Sequence, residues 1–570
     1  MSVVHRSKAL LLVTNSSIIF PLGKTKKGNP RAVPPSRLNQ IPKALLNENI
    51  LQLIFEHFDL QPGSPTTAQT RKNLLPAAKA CKAFSQPALS SLWRILPSLL
   101  PLLLLLPSAE ISDNQYVSPR PLLYLSRRLT DYKKFVDRLP LSSNWGRFDI
   151  HAPRVRTLYM EPLHVVISPH VYLRIRSLRH HDTPLLPGLK EIFIPNQSRL
   201  DFSSALLLAS GSSLSLVQLN NSATLDRQFY IPFLFLLSIN SPNLTRLTLS
   251  GIGDTSLELI PCFKRLRSLE LRLPCTYIGS QVLQDLGKLD NLLQMTLDTG
   301  SPSLQTSTTR PLTKQSDLTP PSTNPTFIKL RKLHILGTLS SMSHVLDKMN
   351  VLTNLTTFII HEIDRGSGHD TWDRCFAIVS TFPAIEDIEI IQQGSSLSTL
   401  CFYPLYKLNN VTSFVIKNST LSGSNQNFRF LSCFFPKLRR FVEPYAKHRE
   451  GRTLASLFHF SQANRDLREL KISLAYDISK NFHAINVLGR PIIQNHQHPL
   501  ERLYIASNFG SLDLPDTIRV AQFLDLIFPN LSTLEACSSD TCEASNWTKI
   551  QQIRVALQAA RIQASSASNQ

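Results

Sequence analysis

The side chains of this chain that could perform chemistry do not form a catalytic or metal-binding pattern. His180, His181 and Asp182 are adjacent, and His496 and His498 lie two apart, but both groups fall in proline-flanked loops where exposed polar residues are the rule. Neither group has the spaced Cys and His ligands of a structural zinc site. The eight cysteines include no CxxC pair. We therefore predict no metal and no cofactor.

Motifs for catalysis and nucleotide binding are also missing from the sequence. It contains no GxxxxGK(S/T), GxSxG or HExxH, and Gly251 and Gly253 lack the third glycine of a dinucleotide-binding loop. We therefore predict that the protein is not an enzyme and has no catalytic residue.

A different pattern dominates the long C-terminal part of the chain. The spacing apolar-x-x-apolar-x-apolar, as in SPNLTRLTL and KLRKLHI, occurs fourteen times between Val155 and Ala536. The mean step is about 29 residues, at the top of the leucine-rich-repeat range. The first apolar positions are 155, 189, 214, 244, 266, 292, 330, 355, 385, 411, 438, 467, 500 and 531.

This pattern predicts the fold class. Its last two apolar residues are two apart, which is strand alternation, and one such strand cannot bury its apolar side alone. Stacked repeats bury that side continuously. We expect an α/β fold in which a small N-terminal helical module precedes a leucine-rich-repeat-like solenoid with a concave parallel β-sheet. An ordinary α/β domain with parallel strands is the alternative.

Charge and cysteine usage indicate the kind of partner and compartment. The 570 residues include 61 Lys and Arg against 40 Asp and Glu, a net charge of +21 that favours acidic partners. The scattered cysteines favour reduced thiols and a cytoplasmic or nuclear location. A secreted recognition protein is a further alternative. It is suggested by the apolar run at 9–13 and by the Asn-x-Ser/Thr triplets at Asn243, Asn354, Asn410 and Asn530. No segment reaches the length of a membrane span.

A helical pattern precedes the repeats. Asn47 can cap a helix whose apolar residues recur at helical spacing through Phe58, the loop QPGSPTTAQT follows at 61–70, and a second helix carries Leu74 and Leu75. A module of this size is marginally stable alone, so a partner or the repeats should complete it.

The residues of this module resemble the F-box family. The similarity lies in IPKALLNENILQLIFEHFDL, in the stretch AAKACKAFSQPAL and in the terminal Leu92 and Trp93. The following SLWRILPSLLPLLLLLP is similar to fungal members that carry degenerate leucine-rich repeats. Ile41 stands where the family usually has Leu, Ala80 where Val is common, and the loop at 59–72 is long.

The resemblance implies a substrate-recognition subunit of an SCF-type (cullin-RING) ubiquitin ligase. The F-box would dock on a Skp-type adaptor, and through it a cullin, while the repeats hold a protein substrate. By carry-over the adaptor-binding residues are Pro42, Leu45, Ile50, Leu53, Ile54, Phe58, Leu75, Ala78 and Trp93, with Cys81 and Phe84 assigned to the module's own core.

Basic residues beside the second and third apolar positions of the repeats are candidates for substrate binding. They should face the open side of the sheet, where they can pair with phosphate or carboxylate. A mixed, solvated face is the alternative interpretation. The candidates are Arg246, Arg272, Lys332, His334, Lys417, Arg440, Lys471 and Arg502.

The expected organisation has five parts. Residues 1–40 are a disordered basic tail, 41–94 the F-box-like module, 95–150 a helical connector, 151–545 the solenoid with a disordered insertion at 300–325, and 546–570 a C-terminal capping helix and tail. The alternative function is a ligase-independent repeat scaffold that binds protein, nucleic acid or anionic lipid. The ubiquitin-ligase hypothesis does not include nucleic acid as a partner.

Overall fold

A computed structural model gives the arrangement of most of the chain. It describes residues 47–58, 65–106, 145–160, 175, 177–178, 184–194, 213–220, 227–250, 254–272, 278, 280–299, 327–349, 352–363, 369–392, 396–443, 452–474, 498–506, 512–537 and 541–568. The expected tail at 1–40 and the insertion at 300–325 lie outside these residues. The chain forms two compact units, Met1–Ile252 and Gly253–Gln570.

In the described part of the first unit three helices come first, α1 (Glu48–Glu56), α2 (Pro65–Ala80) and α3 (Lys82–Arg94). As predicted, Asn47 caps α1, its side chain accepting a hydrogen bond from the backbone N–H of Asn49. The loop predicted at 61–70 is shorter than expected, because α2 starts at Pro65. Proline fits the first helical position, where its missing N–H costs no hydrogen bond.

A parallel sheet follows in the first unit, with five strands among the described residues, in the order β1 to β5. Part of the predicted helical connector is wrong, since its first two residues form β1 and pair in parallel with β2. The strands are β1 (Ile95–Leu96), β2 (Thr157–Tyr159), β3 (Glu191–Ile194), β4 (Leu216–Leu219) and β5 (Arg246–Ser250), and the helices are α4 (Leu100–Leu103), α5 (Gly146–His151), a 3₁₀ turn (Ala152–Arg154) and α6 (Arg227–Asn240).

The second unit repeats the same arrangement, and its described part contains ten parallel strands, β6 to β10, β12 and β14 to β17. Two short strands, β11 and β13, pair as a separate sheet. The strands are β6 (Ser268–Arg272), β7 (Gln294–Asp298), β8 (Lys332–Gly337), β9 (Thr357–Glu362), β10 (Asp387–Gln392), β11 (Ser396–Ser398), β12 (Ser413–Lys417), β13 (Thr420–Ser422), β14 (Arg440–Val442), β15 (Glu469–Ser473), β16 (Arg502–Ala506) and β17 (Thr533–Ala536).

Helices connect the strands of the second unit. The predicted capping helix is longer than expected, because it begins before residue 546 and continues through most of the predicted tail to Ser568. The helices are a 3₁₀ helix (Asp254–Cys262), α7 (Ser280–Gly287), α8 (Leu339–Lys348), α9 (His369–Val379), a second 3₁₀ helix (Thr399–Lys407), α10 (Asn425–Phe434), α11 (Ala455–Ala463), α12 (Leu514–Ile527) and α13 (Thr541–Ser568).

The repeat pattern sets where each strand starts. Every one of the fourteen motif strands, β2 to β10, β12 and β14 to β17, begins two residues after the first apolar residue of its pattern. That first residue and the second apolar residue are buried in all fourteen repeats. The predicted fold class, an α/β chain with stacked leucine-rich-repeat-like strands, is confirmed.

The Asn-x-Ser/Thr triplets tie each turn to the preceding repeat. The Asn354 amide donates to the carbonyl of Ile328 at 2.7 Å, and the Asn410 amide donates to the carbonyl of Pro383 at 3.2 Å. The hydroxyl of the third residue also bonds backward, as from Thr356 to the carbonyl of Arg331 at 3.1 Å. These triplets therefore have a structural role between repeats.

One repeat replaces its third apolar residue by a buried charge. Glu443 occupies this position and accepts hydrogen bonds from Arg452 and from the N–H of Ser473, both at 2.5 Å. Arg452 also donates to the carbonyl of Leu421 at 2.5 Å and lies over the ring of Phe428. Burial raises the pKa of Glu443 and lowers that of Arg452, and their ion pair opposes both shifts.

Candidate functional site

Helix α1 has one apolar face that packs inward. Leu51 and Phe55 are buried there, and the ring of Phe55 meets the edge of Phe84 on α3 at 5.8 Å between centroids. Phe84 therefore contributes to the module's own core, as expected. Cys81 does not, because its side chain is exposed at the start of α3.

A second apolar face of α1 points to solvent. Ile50 is 38% exposed, Leu53 60%, Ile54 43% and Phe58 39%. The spacing of three and four residues places Ile50, Leu53 and Ile54 side by side on α1, and Phe58 follows two residues after the helix ends. We call these four side chains the α1 apolar face; exposed clusters of this kind mark interaction sites.

The other predicted adaptor residues lie in different surroundings. Leu75 and Ala78 on α2 are half-buried. Trp93 is buried, with its ring stacked on His151 at 4.6 Å, so it is not part of the exposed surface. Burial and the nearby Arg154 lower the pKa of His151 to about 4. Pro42 and Leu45 lie outside the described residues.

The sheet of each unit has an open face, formed by the strand side chains that alternate with the buried ones. In the first unit this face carries Arg246, which is exposed, and a stacked pair of rings, Tyr159 and Phe193, 4.5 Å apart. In the second unit it carries the remaining seven basic candidates, Arg272, Lys332, His334, Lys417, Arg440, Lys471 and Arg502.

Acidic neighbours neutralise several of these basic side chains. Glu469 on β15 lies between Arg440 on β14 and Arg502 on β16, at 3.3 and 3.0 Å. These three residues occupy the same repeat position on adjacent strands, so the parallel register brings them together.

Two further candidates also have an acidic partner on the sheet. Arg272 pairs with Glu270 and Lys417 with Glu389, each at 2.6 Å. Exposed pairs of this kind contribute little to stability, but they reduce the positive charge that a ligand would meet.

The middle of the open face in the second unit holds two histidines. His334 on β8 and His361 on β9 stack in parallel at 6.4 Å, and the Nε2 atom of each is buried and makes no hydrogen bond with any described residue. Burial and the neighbouring His361 lower the pKa of His334 to about 4; burial also lowers that of His361. Both rings are therefore neutral at physiological pH.

The sequence analysis missed His361 and the apolar side chains beside it. Leu336, Ile359 and Ile391 lie on the same open face and are half-buried. The sequence feature that could have revealed these residues is the length of β8 to β10. Each of these strands continues beyond the three-position pattern and adds one more outward-facing residue. The centre of this face is therefore more apolar than the basic candidates alone indicate.

Within the described part of the chain, no group of three or more Cys, His, Asp or Glu side chains has the arrangement of a metal site.

The prediction that His498 is an exposed loop residue is wrong, because its side chain is buried. Its Nδ1 accepts from the N–H of Leu500, so Nε2 carries the proton and donates to the carbonyl of Asn464 at 3.1 Å. His180, His181, Asp182 and His496 lie outside the described residues.

None of the described helices combines the length and the apolar character that crossing a membrane requires.

Comparison with known proteins gives structural likenesses only. No family model matches the chain, and no curated protein matches it. An internalin from Listeria monocytogenes aligns with TM-score 0.33 and 14% identity over 65% of this chain and 89% of its own. The Rad7 and Elc1 complex of yeast aligns with TM-score 0.32 and 13% identity over 66% and 85%.

A third solved structure, TLR13 in complex with ssRNA13, aligns with TM-score 0.37 and 13% identity over 70% of this chain. The match spans 52% of the TLR13 chain. At these identities and TM-scores the likenesses carry no argument about function, and the repeat fold is established by the strands and their register.

Proposed function

We propose that this protein is the substrate-recognition subunit of an SCF-type ubiquitin ligase. The N-terminal helices dock on a Skp-type adaptor, and the repeats bind a protein substrate. Such a subunit accelerates ubiquitin transfer by holding the substrate near the conjugating enzyme, so it needs no reactive side chain.

The observation that carries this proposal is the α1 apolar face. Leu53 and Ile54 are exposed while Leu51 and Phe55 on the same short helix are buried, so α1 is apolar on two sides. Among the described residues, the helices packed against α1 use only the side that carries Leu51 and Phe55. The exposed side supports docking on a partner, because the hydrophobic effect favours its removal from water.

The open face of the second unit supports substrate binding. Its half-buried apolar centre can pack against a protein segment, and Lys332 and Lys471 lie on the same face without an ion pair among the described residues. These two amines can pair with carboxylate or phosphate groups of the substrate.

The first experiment compares adaptor binding by two double variants of the full chain. Leu53→Asp with Ile54→Asp places two charges in the α1 apolar face, and we expect co-purification with a Skp-type adaptor to be lost. Phe235→Asp with Ile239→Asp is the matched control, because these α6 side chains are 52% and 59% exposed in the same unit. Retained binding by the first pair contradicts the proposal, provided circular dichroism shows a folded chain.

The second candidate function is a repeat scaffold without a ligase. It takes over if the wild-type chain does not bind the adaptor. Binding of RNA or DNA that weakens steeply with salt at physiological ionic strength would assign the scaffold to nucleic acid. The ion pairs of Arg272, Lys417, Arg440 and Arg502 on the open face argue against that class.

A further inference from the structure

The 3₁₀ helix Thr399–Lys407 exposes a column of large side chains on the helical side of the second unit. Leu400 is 67% exposed, Tyr403 65% and Tyr406 48%. A 3₁₀ helix has three residues per turn, so side chains three apart lie directly above one another. The opposite side packs inward, where Phe402 contacts Phe414 of the sheet at 5.3 Å between ring centroids.

Helix α10 extends this column sideways. Phe430 is 55% exposed, and the ring of Phe434 meets Tyr403 at 6.1 Å. Tyr403 and Tyr406 are themselves 5.4 Å apart. We call Leu400, Tyr403, Tyr406, Phe430 and Phe434 the aromatic patch. Tyrosine and other aromatic side chains dominate the binding energy of protein interfaces.

Two basic side chains border the aromatic patch, and an acidic residue lies near it: burial and the carboxylate of Asp373 on helix α9 raise the pKa of Cys401 in the same 3₁₀ helix. The segment from Ile390 to Val442 contains no Asp or Glu. Lys407 follows Tyr406 and Arg429 precedes Phe430; both are exposed, and neither forms an ion pair with a described residue. Lys417 and Arg440 of the same segment lie on the open face of the sheet, where they pair with Glu389 and Glu469, so they do not belong to these surroundings.

Charge and length limit what can cover the patch. A second copy of this chain would bring the same cations and a net charge of +21 against its own, so self-association is disfavoured. An occupant needs apolar anchors flanked by acidic groups. The column from Leu400 to Tyr406 is about 12 Å long, close to two turns of an α-helix.

We infer that the aromatic patch is a docking surface for an acidic amphipathic helix of a partner protein. Anchors at helical spacing pack on the column, while carboxylates on the helix pair with Lys407 and Arg429. The tyrosine hydroxyls supply hydrogen bonds at the rim. This surface is distinct from the α1 apolar face and from the open face of the sheet, so it goes beyond the proposed function.

The probes are two synthetic helical peptides that share one apolar face of Leu, Phe and Trp and differ in polar residues. One carries Glu and the other carries Lys. We expect the full chain to bind the acidic peptide at least about tenfold more tightly than the basic one by fluorescence anisotropy. Tyr403→Ser with Phe430→Ser should weaken acidic-peptide binding by about tenfold or more.

The matched control is Phe235→Ser with Ile239→Ser on α6, which removes equally exposed apolar side chains elsewhere. It should leave acidic-peptide binding unchanged. Equal binding of the two peptides, or unchanged binding by the patch variant, overturns the inference. So does binding to phosphatidylserine vesicles or self-association in sedimentation, if the patch variant abolishes either one. Adaptor binding by the patch variant is measured in parallel, so that this inference and the proposed function fail or succeed separately.

Discussion

At the residue scale, the buried ion pair of Glu443 and Arg452 departs most from the repeat pattern. The equivalent positions in the neighbouring repeats are Ile416 and Ile472. The pair connects β14 to β13 and to the end of β15 through the carbonyl of Leu421 and the N–H of Ser473. Replacing a buried pair by apolar residues is often neutral, whereas removing one partner leaves a charge without compensation.

Arg452→Met should therefore lower the free energy of unfolding by about 3–5 kcal/mol. Glu443→Leu combined with Arg452→Met should recover most of that loss, because residue 443 then matches the apolar residues of the other repeats. Thermal unfolding by scanning calorimetry measures both. Equal losses in the single and double variants would show that the charge itself is not the cause.

His498 should make the fold sensitive to mild acid. Burial lowers its pKa from 6.5 to about 4 in the folded protein. Between these values the unfolded chain binds a proton that the folded chain does not, so stability is full above about pH 6.5 and falls as the pH drops toward 4. This residue contributes up to about 3 kcal/mol.

Comparing the wild type with His498→Asn at pH 7 and pH 4.5 isolates that contribution from the other histidines. The variant is expected to be less stable at pH 7, having lost hydrogen bonds, but its stability should fall less between the two pH values. A parallel fall in both proteins would assign the acid sensitivity elsewhere.

At the element scale, the sequence predicted the strands that carry the repeat pattern and missed those that do not. Strand β1 has two residues, and β11 and β13 have three, too few to show a period. In α1 nearly every position on two sides is apolar, so only its contact with α3 distinguishes buried Phe55 from exposed Leu53.

Three of the four ion pairs of the open face arise between strands, and the motif alone did not show them; the fourth joins Arg272 and Glu270 within β6. The partners of Glu469, Arg440 and Arg502, are 29 and 33 residues away in sequence. The repeat alignment held the signal, since all three occupy the same position of their repeats. Trp93 could not be assigned from its own segment, because its stacking partner His151 lies beyond the connector.

The end of β8 requires glycine. Gly337 has φ of 142°, a conformation that a side chain makes unfavourable, and Asn418 after β12 has φ of 59°. Gly337→Ala should lower the free energy of unfolding by about 1–3 kcal/mol. Asn418→Gly, the control, should leave it nearly unchanged because glycine accepts positive φ; urea titration distinguishes the two. Full stability in Gly337→Ala would contradict the backbone argument.

The side-chain amides of the turn asparagines should stabilise the fold through the hydrogen bonds that their N–H groups donate. Asn410 donates to the carbonyl of Pro383 and accepts from Lys437 at 2.9 Å. Asn410→Asp keeps the acceptor and loses the donor, so it should destabilise by about 1 kcal/mol, close to the loss in Asn410→Ala. Unfolding of the two variants is compared with the wild type. Wild-type stability in Asn410→Asp would assign the role to Lys437 instead.

At the scale of the whole molecule, stability should be local along the array. In stacked repeats each unit packs mainly on its neighbours, so damage at one repeat does not reach distant ones directly. The two compact units each follow this rule in their own sheet.

Leu470→Ala tests this within the second unit. Leu470 is fully buried on β15, and its truncation should cost about 2–5 kcal/mol. Hydrogen exchange should accelerate in β14 to β16 and stay unchanged in β6 to β8 of the same sheet. Equal acceleration in all these strands would mean that the unit unfolds as one cooperative block.

The backward hydrogen bonds of the turns bear on how such a chain changes length. The amide of Asn410 needs only a backbone carbonyl two residues before the preceding pattern, which Pro383 now supplies. If residues 355–384 were deleted, the carbonyl of Thr353 would occupy that place, and the seam would close with the same bonds. Duplication of such a segment would form the same hydrogen bonds at the new junction, whereas a deletion of only part of a repeat would not. The array can therefore gain or lose whole repeats during evolution. Its length along a partner then changes, while the hydrogen bonds between the remaining repeats stay the same.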